Sequence, residues 1–388
     1  MEKSFRMELA GRSLIVETGK MAKQASGAVL VRYGETVVLV TSTASKEARE
    51  GMDFFPLTVD YEEKMYAVGK MPGGFLRREG RPGNSAILNA RLIDRPIRPL
   101  FDKRCRNDIH VMATVLSVDY DNAPELCGML GASASLGISD IPWDGPIAGV
   151  RVGRVDGKFV INPTQEQLKV STLNITVAGS ETAILMVEGG AQEAPEEDVL
   201  DAIMFGHETI KELVAFQKKI IEEVGKPKRT LIFPEIPEEI KTAIYAYAER
   251  PLKEAIFNPD KLTREAHMEE VRKEAEAHFK EIYPENGSDI AECLNHLTKE
   301  IVRHMISVDK IRPDGRALDE IRPISCEVGL LPRVHGSALF TRGQTQALTI
   351  TTLAPMSETQ IIDDLTQETE KRYIHQYNFP SYSVGETK

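Results

Sequence analysis

The chain has 388 residues, of which 41% are hydrophobic and 28% are charged, and its formal net charge is −11. These values are typical of a folded globular protein and exclude the disordered and fibrous classes. No apolar run approaches the roughly 18 residues that a membrane-spanning helix needs, so the sequence predicts no membrane span.

The first residues and the cysteines bear on the compartment. Residues 1–20 lack the basic start and the apolar centre of a signal peptide, which predicts a cytoplasmic protein. The four cysteines are far apart and show no paired spacing, so they predict neither a disulfide framework nor a zinc site. We expect reduced structural thiols at Cys105, Cys127, Cys293 and Cys326.

The first part of the chain is rich in valine and reads as β-structure. Residues 14–16, 28–32, 36–41 and 55–61 are predicted strands, and the second and third form a hairpin around Gly34. The last of these strands leads into the most unusual stretch of the chain.

That stretch, residues 70–106, is strongly basic. It holds ten Lys and Arg against three Asp and Glu, inside a chain whose net charge is negative. Its first half is also rich in glycine, with five between residues 69 and 83. Arginine donates paired hydrogen bonds to phosphate, and glycine lets a backbone approach closely. The pattern predicts a clamp on a phosphate backbone, and the alternative is a solvated, mobile loop with scattered charge.

A helix is predicted directly after the loop. Asn84 or Ser85 can cap a helix over residues 85–95, and Pro96 is expected to end it. Three arginines then project near one another at helical spacing or just beyond it. The alternative is that Asp94 and nearby acids pair with these arginines, which are Arg91, Arg95 and Arg98.

The next part of the chain mixes strands and helices. Residues 131–135, Gly-Ala-Ser-Ala-Ser, lack the closing glycine of a serine nucleophile elbow, so we interpret them as close helix packing. The mixture indicates an α/β or α+β domain of about 230 residues. Its predicted elements are a strand at 109–119, a helix at 125–136, strands at 147–152, 159–161, 173–178 and 183–187, and a long helix from Pro195 to Gly225.

Residues 234–306 change to a composition of Glu, Ala, Lys and Leu with almost no strand pattern. Three helices are predicted, the first opened by Pro237 and broken by Pro251. Residues 234–310 hold 17 acids and 11 bases, and this balance argues against a surface that faces a phosphate backbone.

An internal repeat begins after the helices. Glu17-Thr18-Gly19, residues 28–32 and Gly34-Glu35-Thr36 reappear as Glu327-Val328-Gly329, residues 338–342 and Gly343-Gln344-Thr345; Phe55-Pro56 reappears as Phe379-Pro380. A second copy of the first domain has therefore started. The first copy needs about 220 residues and the second has about 75, so either the chain was cut or it is naturally partial.

Two motifs carry a family resemblance. Residues 90–101, Ala-Arg-Leu-Ile-Asp-Arg-Pro-Ile-Arg-Pro-Leu-Phe, follow residues 74–82, Gly-Phe-Leu-Arg-Arg-Glu-Gly-Arg-Pro, and together they closely resemble the first core of the bacterial polynucleotide phosphorylase family. The resemblance implies an α+β fold with an RNase PH-like core at 1–233, an all-helical linker domain at 234–308, and an incomplete second RNase PH-like core at 309–388.

The resemblance also implies an activity. Members of the family degrade RNA from its 3′ end with inorganic phosphate as co-substrate, release nucleoside diphosphates reversibly, use Mg²⁺ and form ring trimers. Single-stranded RNA, a homotrimer and components of an RNA-degradation complex are therefore the expected partners. The alternative is a non-catalytic RNA-binding or scaffold protein that has kept the fold.

The family's RNA-gripping loop carries over to Arg77, Arg78 and Arg81, and Arg91, Arg95 and Arg98 are added as candidate RNA ligands. The catalytic and metal-binding residues do not carry over. Residues 122–125, Asn-Ala-Pro-Glu, stand where the family's active core has a phosphate-binding serine run. Residues 146–153 stand where that core has an aspartate-bearing strand, but this range has no carboxylate. No catalytic or metal-binding residue is therefore expected in this chain, although Asp140 and Asp144, just before that strand, stay open.

Overall fold

Alternating apolar residues in the first strands build a six-stranded sheet in the computed structural model, which describes residues 2–48, 54–73, 75–231, 236–366 and 369–387. The strand order is β1-β2-β3-β4-β6-β5, and only β5 and β6 run parallel. Val29, Val31, Val38 and Val40 point from β3 and β4 into the core. The strands are β1 (Lys3–Leu9), β2 (Arg12–Thr18), β3 (Gly27–Tyr33), β4 (Thr36–Ala48), β5 (Leu57–Glu63) and β6 (Asn107–Ser117).

Two helices pack on this sheet and share its apolar core. The helix α1 (Asn84–Ile97) packs against β5, and α2 (Pro124–Ile138) lies across β3 and β4. From Leu126 onward every residue of α2 is buried, and a Cβ on Gly131 would lie 2.4 Å from Cγ2 of Val40. The interpretation of residues 131–135 as close packing is confirmed.

A second, four-stranded antiparallel sheet completes this core, in the order β10-β9-β7-β8. A capping box at Thr164 starts the short helix between β8 and β9, and the long helix packs on β7 and β9. The predicted strands and the long helix of this region are confirmed, whereas the short helix α3 (Gln165–Val170) was not predicted. The other elements are β7 (Ala148–Val155), β8 (Lys158–Ile161), β9 (Leu173–Gly179), β10 (Ile184–Ala191) and α4 (Glu196–Val224).

Two helix boundaries differ from the sequence predictions. The N-cap of α1 is Gly83, with no side-chain cap, and the helix runs through Pro96 to Ile97. Proline lacks only its own N–H, and the chain continues helically because the N–H of Arg98 still bonds the carbonyl of Asp94. In the same way Pro251 lies inside a helix that it was expected to break.

The chain divides into two compact units, residues 1–233 with 359–388, and residues 234–358. The second unit contains the three predicted helices, α5 (Glu238–Ile256), α6 (Lys261–Ile282) and α7 (Gly287–Ser307), which share an apolar core. It also contains a three-stranded sheet, β11 (Ile324–Val328), β12 (Gly336–Arg342) and β13 (Thr345–Thr351). The division into domains at residues 234 and 309 stays a prediction.

The sheet of β11, β12 and β13 repeats the pairing of β2, β3 and β4. Val328 pairs with Ala338 as Thr18 pairs with Val29, and in both copies a glycine at positive φ follows the first strand. The predicted alignment of residues 28–32 with 338–342 is therefore one residue out, because the connection before β12 is one residue shorter. The structure aligns Val29 with Ala338.

The second correction concerns the end of the repeat. A 3₁₀ turn, Met65–Val68, ends at Gly69 in the left-handed region, and another, Ser381–Val384, ends in the same way at Gly385. These landmarks align Phe379-Pro380 with Glu63-Lys64, and the proposed match to Phe55-Pro56 is wrong.

The remaining strands are β14 (Gln360–Ile362) and β15 (Thr369–Lys371), an antiparallel hairpin that belongs to the first unit.

The two copies differ in burial. Most residues of β3 and alternate residues in the first half of β4 are buried under α2, whereas the residues of β11 and β13 are exposed throughout. We therefore predict that amides at residues 338–350 exchange with solvent much faster than those at 28–40, since exposed ladders open more readily. Hydrogen exchange measured by mass spectrometry checks this. Equal protection in the two segments would show that the second sheet has found a stable cover.

Candidate nucleic-acid interface

The basic loop, residues 70–83, starts from the 3₁₀ turn at Met65–Val68 and is tied back to it. The N–H of Lys70 donates to the carbonyl oxygen of Met65 at 3.0 Å, and Oε1 of Glu79 accepts the N–H of Met65 at 3.2 Å. Met65 is therefore hydrogen-bonded to both Lys70 and Glu79, the first and last residues of the segment 70–79. Gly74, part of the recognised motif, lies outside the described residues.

Three arginines on this loop are exposed and carry no ion pair in the described part of the chain. Among the described residues, the only hydrogen bond from their guanidinium groups is a long one, 3.4 Å, from Arg77 to the carbonyl of Pro72, and Arg78 and Arg81 donate none. Arg77 also has φ +52°, in the left-handed region that non-glycine residues rarely adopt and that is enriched at functional sites. These side chains are available to an external anion.

Two apolar side chains stand beside the free arginines. Phe75 is 99% exposed and Leu76 is 74% exposed. The sequence reasoning concentrated on charge and missed them, although an apolar pair inside a polar, glycine-rich loop is itself a visible signal. Exposed aromatic groups next to cationic ones suit the unstacked bases of a single strand.

The three arginines of α1 have different surroundings. Arg91 is exposed and, among the described residues, has no hydrogen-bond or ion-pair partner. Arg95 pairs with Glu188. Arg98 binds both oxygens of Asp94, at 2.8 and 2.9 Å, and donates to the carbonyl of Leu57 at 3.0 Å. The alternative that Asp94 pairs with these arginines is thus confirmed for Arg98, which fastens β5 to α1. An RNA role for Arg91, Arg95 and Arg98 stays a prediction.

Asp140 and Asp144, left open by the sequence, are placed by the fold. Asp140 accepts a hydrogen bond from Nε of Arg229 at 2.5 Å, and this bond holds the pKa of the carboxyl below its usual value. Asp144 is exposed at the surface. The described residues include no group of three or more His, Cys, Asp or Glu that could hold a metal ion, so the donors present do not fit Mg²⁺.

Residues 122–125, which were predicted to stand where the family's active core has phosphate-binding serines, bond to neighbouring residues of this chain. Nδ2 of Asn122 donates to both oxygens of Asp119 at 2.7 Å, and its Oδ1 accepts from Arg12. Glu125, in the first turn of α2, pairs with Arg151 on β7 at 2.5 Å. A carboxylate therefore occupies the helix end where an anion would otherwise be favoured.

Three family models match the chain. The 3′ exoribonuclease family, domain 1, matches residues 10–142 and again 320–388, and domain 2 of the same family matches 145–209. The RNA-binding domain of polyribonucleotide nucleotidyltransferase matches residues 239–317. The chain belongs to the 3′ exoribonuclease family. The double match of domain 1 supports the internal repeat, and the predicted RNase PH-like α+β fold is confirmed.

Curated relatives match almost the entire chain. Polyribonucleotide nucleotidyltransferases from Heliobacterium modesticaldum and Syntrophomonas wolfei are each 59% identical, over 99% and 100% of this chain but 54% and 55% of their own lengths. That of Geobacillus kaustophilus is 56% identical over 99% of this chain. The chain thus spans about half the length of these relatives and corresponds to the amino-terminal region of polynucleotide phosphorylase. Among solved structures, rice (Oryza sativa) Rrp46 matches 57% of this chain and 94% of its own at 14% identity, with a TM-score of only 0.43.

One expectation runs against these matches. The acidic balance of residues 234–310 argued against an RNA-facing surface, yet the model that matches 239–317 is described as an RNA-binding domain. Net charge is a sum over the whole surface and does not show how bases and acids are distributed on it.

No described helix is long and apolar enough to cross a membrane.

The contrast between Arg98 and Arg91 gives a prediction about stability. Arg98→Ala removes the paired hydrogen bonds to Asp94 and one to a backbone carbonyl, so it is expected to lower the free energy of unfolding by about 1–2 kcal/mol. Arg91→Ala removes an exposed, unpartnered group and should change that free energy by less than about 0.5 kcal/mol. Urea denaturation of both variants measures the difference. Equal destabilisation would mean that the Arg98 contacts contribute nothing to the fold.

Proposed function

We propose that this chain is the amino-terminal part of a 3′-to-5′ phosphorolytic exoribonuclease of RNA turnover, in which it supplies RNA binding and the scaffold. In the overall reaction inorganic phosphate attacks the terminal phosphodiester, the RNA keeps the 3′ oxygen, and the last nucleotide leaves as a nucleoside diphosphate. The family membership and the names of the relatives support the reaction. The observation that carries the role of this part is the group of exposed, unpaired guanidinium groups on the basic loop.

The loop can bind a phosphate backbone in a sequence-independent way. No carboxylate in the described part of the chain pairs with Arg77, Arg78 or Arg81, so a phosphate can bind their charge and their paired donors without breaking such an ion pair. Phe75 and Leu76 offer apolar surface to bases, which all have a face for stacking. Such a grip holds any single strand while its 3′ end is processed.

Further properties of the intact enzyme are part of the proposal. They are a homotrimer, a cytoplasmic location, a role in mRNA catabolism, partners in an RNA-degradation complex, and a requirement for Mg²⁺ and phosphate. Since the described donors do not fit the metal, we assign no catalytic step to residues of this chain. A second candidate, an RNA-binding scaffold without chemistry, is favoured for the chain alone by the Glu125–Arg151 pair and by Asp140 being engaged by Arg229.

The RNA grip is tested by changing Arg77, Arg78 and Arg81 together to Ala. Binding of an unstructured RNA should weaken, and the slope of log affinity against log salt should fall by up to about 2, since each lost phosphate contact of a single strand contributes about 0.7. Fluorescence anisotropy over a salt series measures both quantities.

A matched control changes three ion-paired surface lysines, Lys169, Lys211 and Lys218, to Ala, which alters net charge equally. This control should leave the salt slope near that of the unchanged protein. If the arginine variant kept its affinity and slope, or if both triple variants lost them equally, the loop would not be the RNA contact.

The chemistry is tested with the purified chain, unstructured RNA, Mg²⁺ and inorganic phosphate. We expect RNA binding without release of nucleoside diphosphates, because the described carboxylates do not assemble a site for charge neutralisation, which is worth roughly a hundredfold or more in rate. Chromatography of the products measures the release. Phosphate-dependent release that Asp140→Asn or Asp144→Asn abolishes would show that the first core is catalytic after all.

A further inference from the structure

The hairpin of β14 and β15 contacts the start of the basic loop. Nζ of Lys70 donates to Oδ1 of Asp363 at 2.7 Å and to the carbonyl oxygen of Asp364 at 3.2 Å. Both acceptors lie at the tip of the hairpin, just after β14. One ammonium group therefore joins the first residue of the loop to a segment nearly 300 residues away in sequence.

The next residue of the tip is fixed by burial. Leu365 is 4% exposed and is part of the apolar core of the first unit. Beyond residue 308 it is the only described apolar side chain that is buried. An exposed ion pair alone contributes little to stability, so the leucine supplies the attachment and the Lys70–Asp363 pair sets the position of the loop relative to it.

The hairpin tip also lies close to the end of β5. The pKa of Glu63, the last residue of β5, is raised by its burial and further by the nearby charge of Asp364. The side chain of Glu63 accepts hydrogen bonds from Ser85 and Asn89 in the first turns of α1. The tip is therefore placed beside both segments that border the basic loop, the strand before it and the helix after it.

Glu79, further along the loop, is held by a hydrogen bond of its own. The carboxylate of Glu79 accepts the N–H of Met65, whose carbonyl accepts the N–H of Lys70. The arginines thus lie on a short segment with both ends held, which limits the conformations that the segment loses when it binds a ligand. A binding group that is positioned in advance gains affinity by lowering this ordering cost.

We propose that the hairpin tip, through Leu365 and Asp363, and the Glu79 carboxylate are positioning elements that hold the basic loop in its RNA-binding conformation. The inference rests on the proposed RNA contact of the loop. The hairpin tip, which belongs to the second repeat, thus positions the basic loop of the first repeat. The two acids that take part are Asp363, beside the loop, and Glu79, within it.

The sign of the effect separates positioning from the simple electric field. Removing an acid next to a basic loop makes the local potential more positive, so the field alone predicts tighter binding of RNA. Loss of a positioning contact predicts weaker binding in spite of the added positive charge. The two explanations therefore differ in direction for the same substitution.

The experiment compares Asp363→Asn and Glu79→Ala with the unchanged chain. Each variant should bind an unstructured RNA about 3- to 10-fold more weakly by fluorescence anisotropy, the range expected when a bound strand loses one or two contacts in part. Hydrogen exchange without RNA should be faster at the hydrogen-bonded amides of Met65 and Lys70 in both variants. Asp201→Asn, which removes an exposed acid on α4 that has no partner among the described residues, is the matched control and should change neither quantity.

A charge swap tests the pair directly and keeps the net charge. Lys70→Asp alone should give fast exchange at the amides of residues 65 and 70, and the combination with Asp363→Lys should restore slow exchange. Tighter or unchanged RNA binding by Asp363→Asn, unchanged exchange at these two amides, or no recovery in the swapped variant would each overturn the proposal.

Failure of the underlying RNA contact has a different signature. In that case the change of Arg77, Arg78 and Arg81 to Ala leaves RNA affinity intact, while exchange at the amides of Met65 and Lys70 still responds to Asp363→Asn. That result would reject the loop as the RNA contact, and with it a positioning role in RNA binding, but would leave the mechanical link between hairpin and loop in place.

Discussion

The burial of α2 between two sheets is the constraint on which the first unit depends. The helix approaches the six-stranded sheet so closely that a Cβ on Gly27 would lie 2.0 Å from the carbonyl oxygen of Ser135. On its other side, Gly149 of β7 admits the sulfur of Met129, which would lie 2.3 Å from a Cβ there. Small residues at these contacts let both sheets share one core, and larger ones would force them apart.

A buried helix also needs partners for its last carbonyl groups, and a charged side chain supplies them here. Glu125, in the first turn of α2, forms an ion pair with Arg151. At the other end, Nζ of Lys228 donates to the carbonyl oxygens of Leu136, Gly137 and Ser139 at 2.8 to 3.0 Å, and burial lowers the pKa of Lys228 to about 8. The charges around α2 thus stabilise the fold, whereas Arg77, Arg78 and Arg81 of the basic loop form no ion pair with a described residue.

The sequence predicted the local features of this molecule well. Strands with alternating valines, the small-residue helix, the three helices of the second unit and the repeat all depend on short-range patterns, and all are present. The role of Pro96 was misjudged because a helix that is already packed tolerates the loss of one donor near its end. The one-residue shift at Val29 and Ala338 was missed because a connection of different length is invisible to motif matching.

The basic loop shows where such prediction ends. Its charge and glycines are visible in the sequence, but the partners that fix it are not, since Met65, Asp363 and Leu365 are brought to it only by the fold. The same limit applies to which arginines are free. Arg98 and Arg91 look alike on a helical projection, and only the position of Asp94 and the carbonyl of Leu57 makes one of them structural.

The two copies of the repeat show that the strands can form whether or not they are buried. In both copies the hairpin has the same turn, with a glycine at positive φ, and the same pairing of Tyr33 with Thr36 and Arg342 with Thr345. Only the first copy has a helix over its inner face in the described structure, and only its strands are buried. Hairpin geometry is therefore encoded locally, while burial depends on a layer from elsewhere in the chain. Among the described residues the second sheet contributes no buried apolar side chain, so its strands pair without the covering layer that buries those of the first copy.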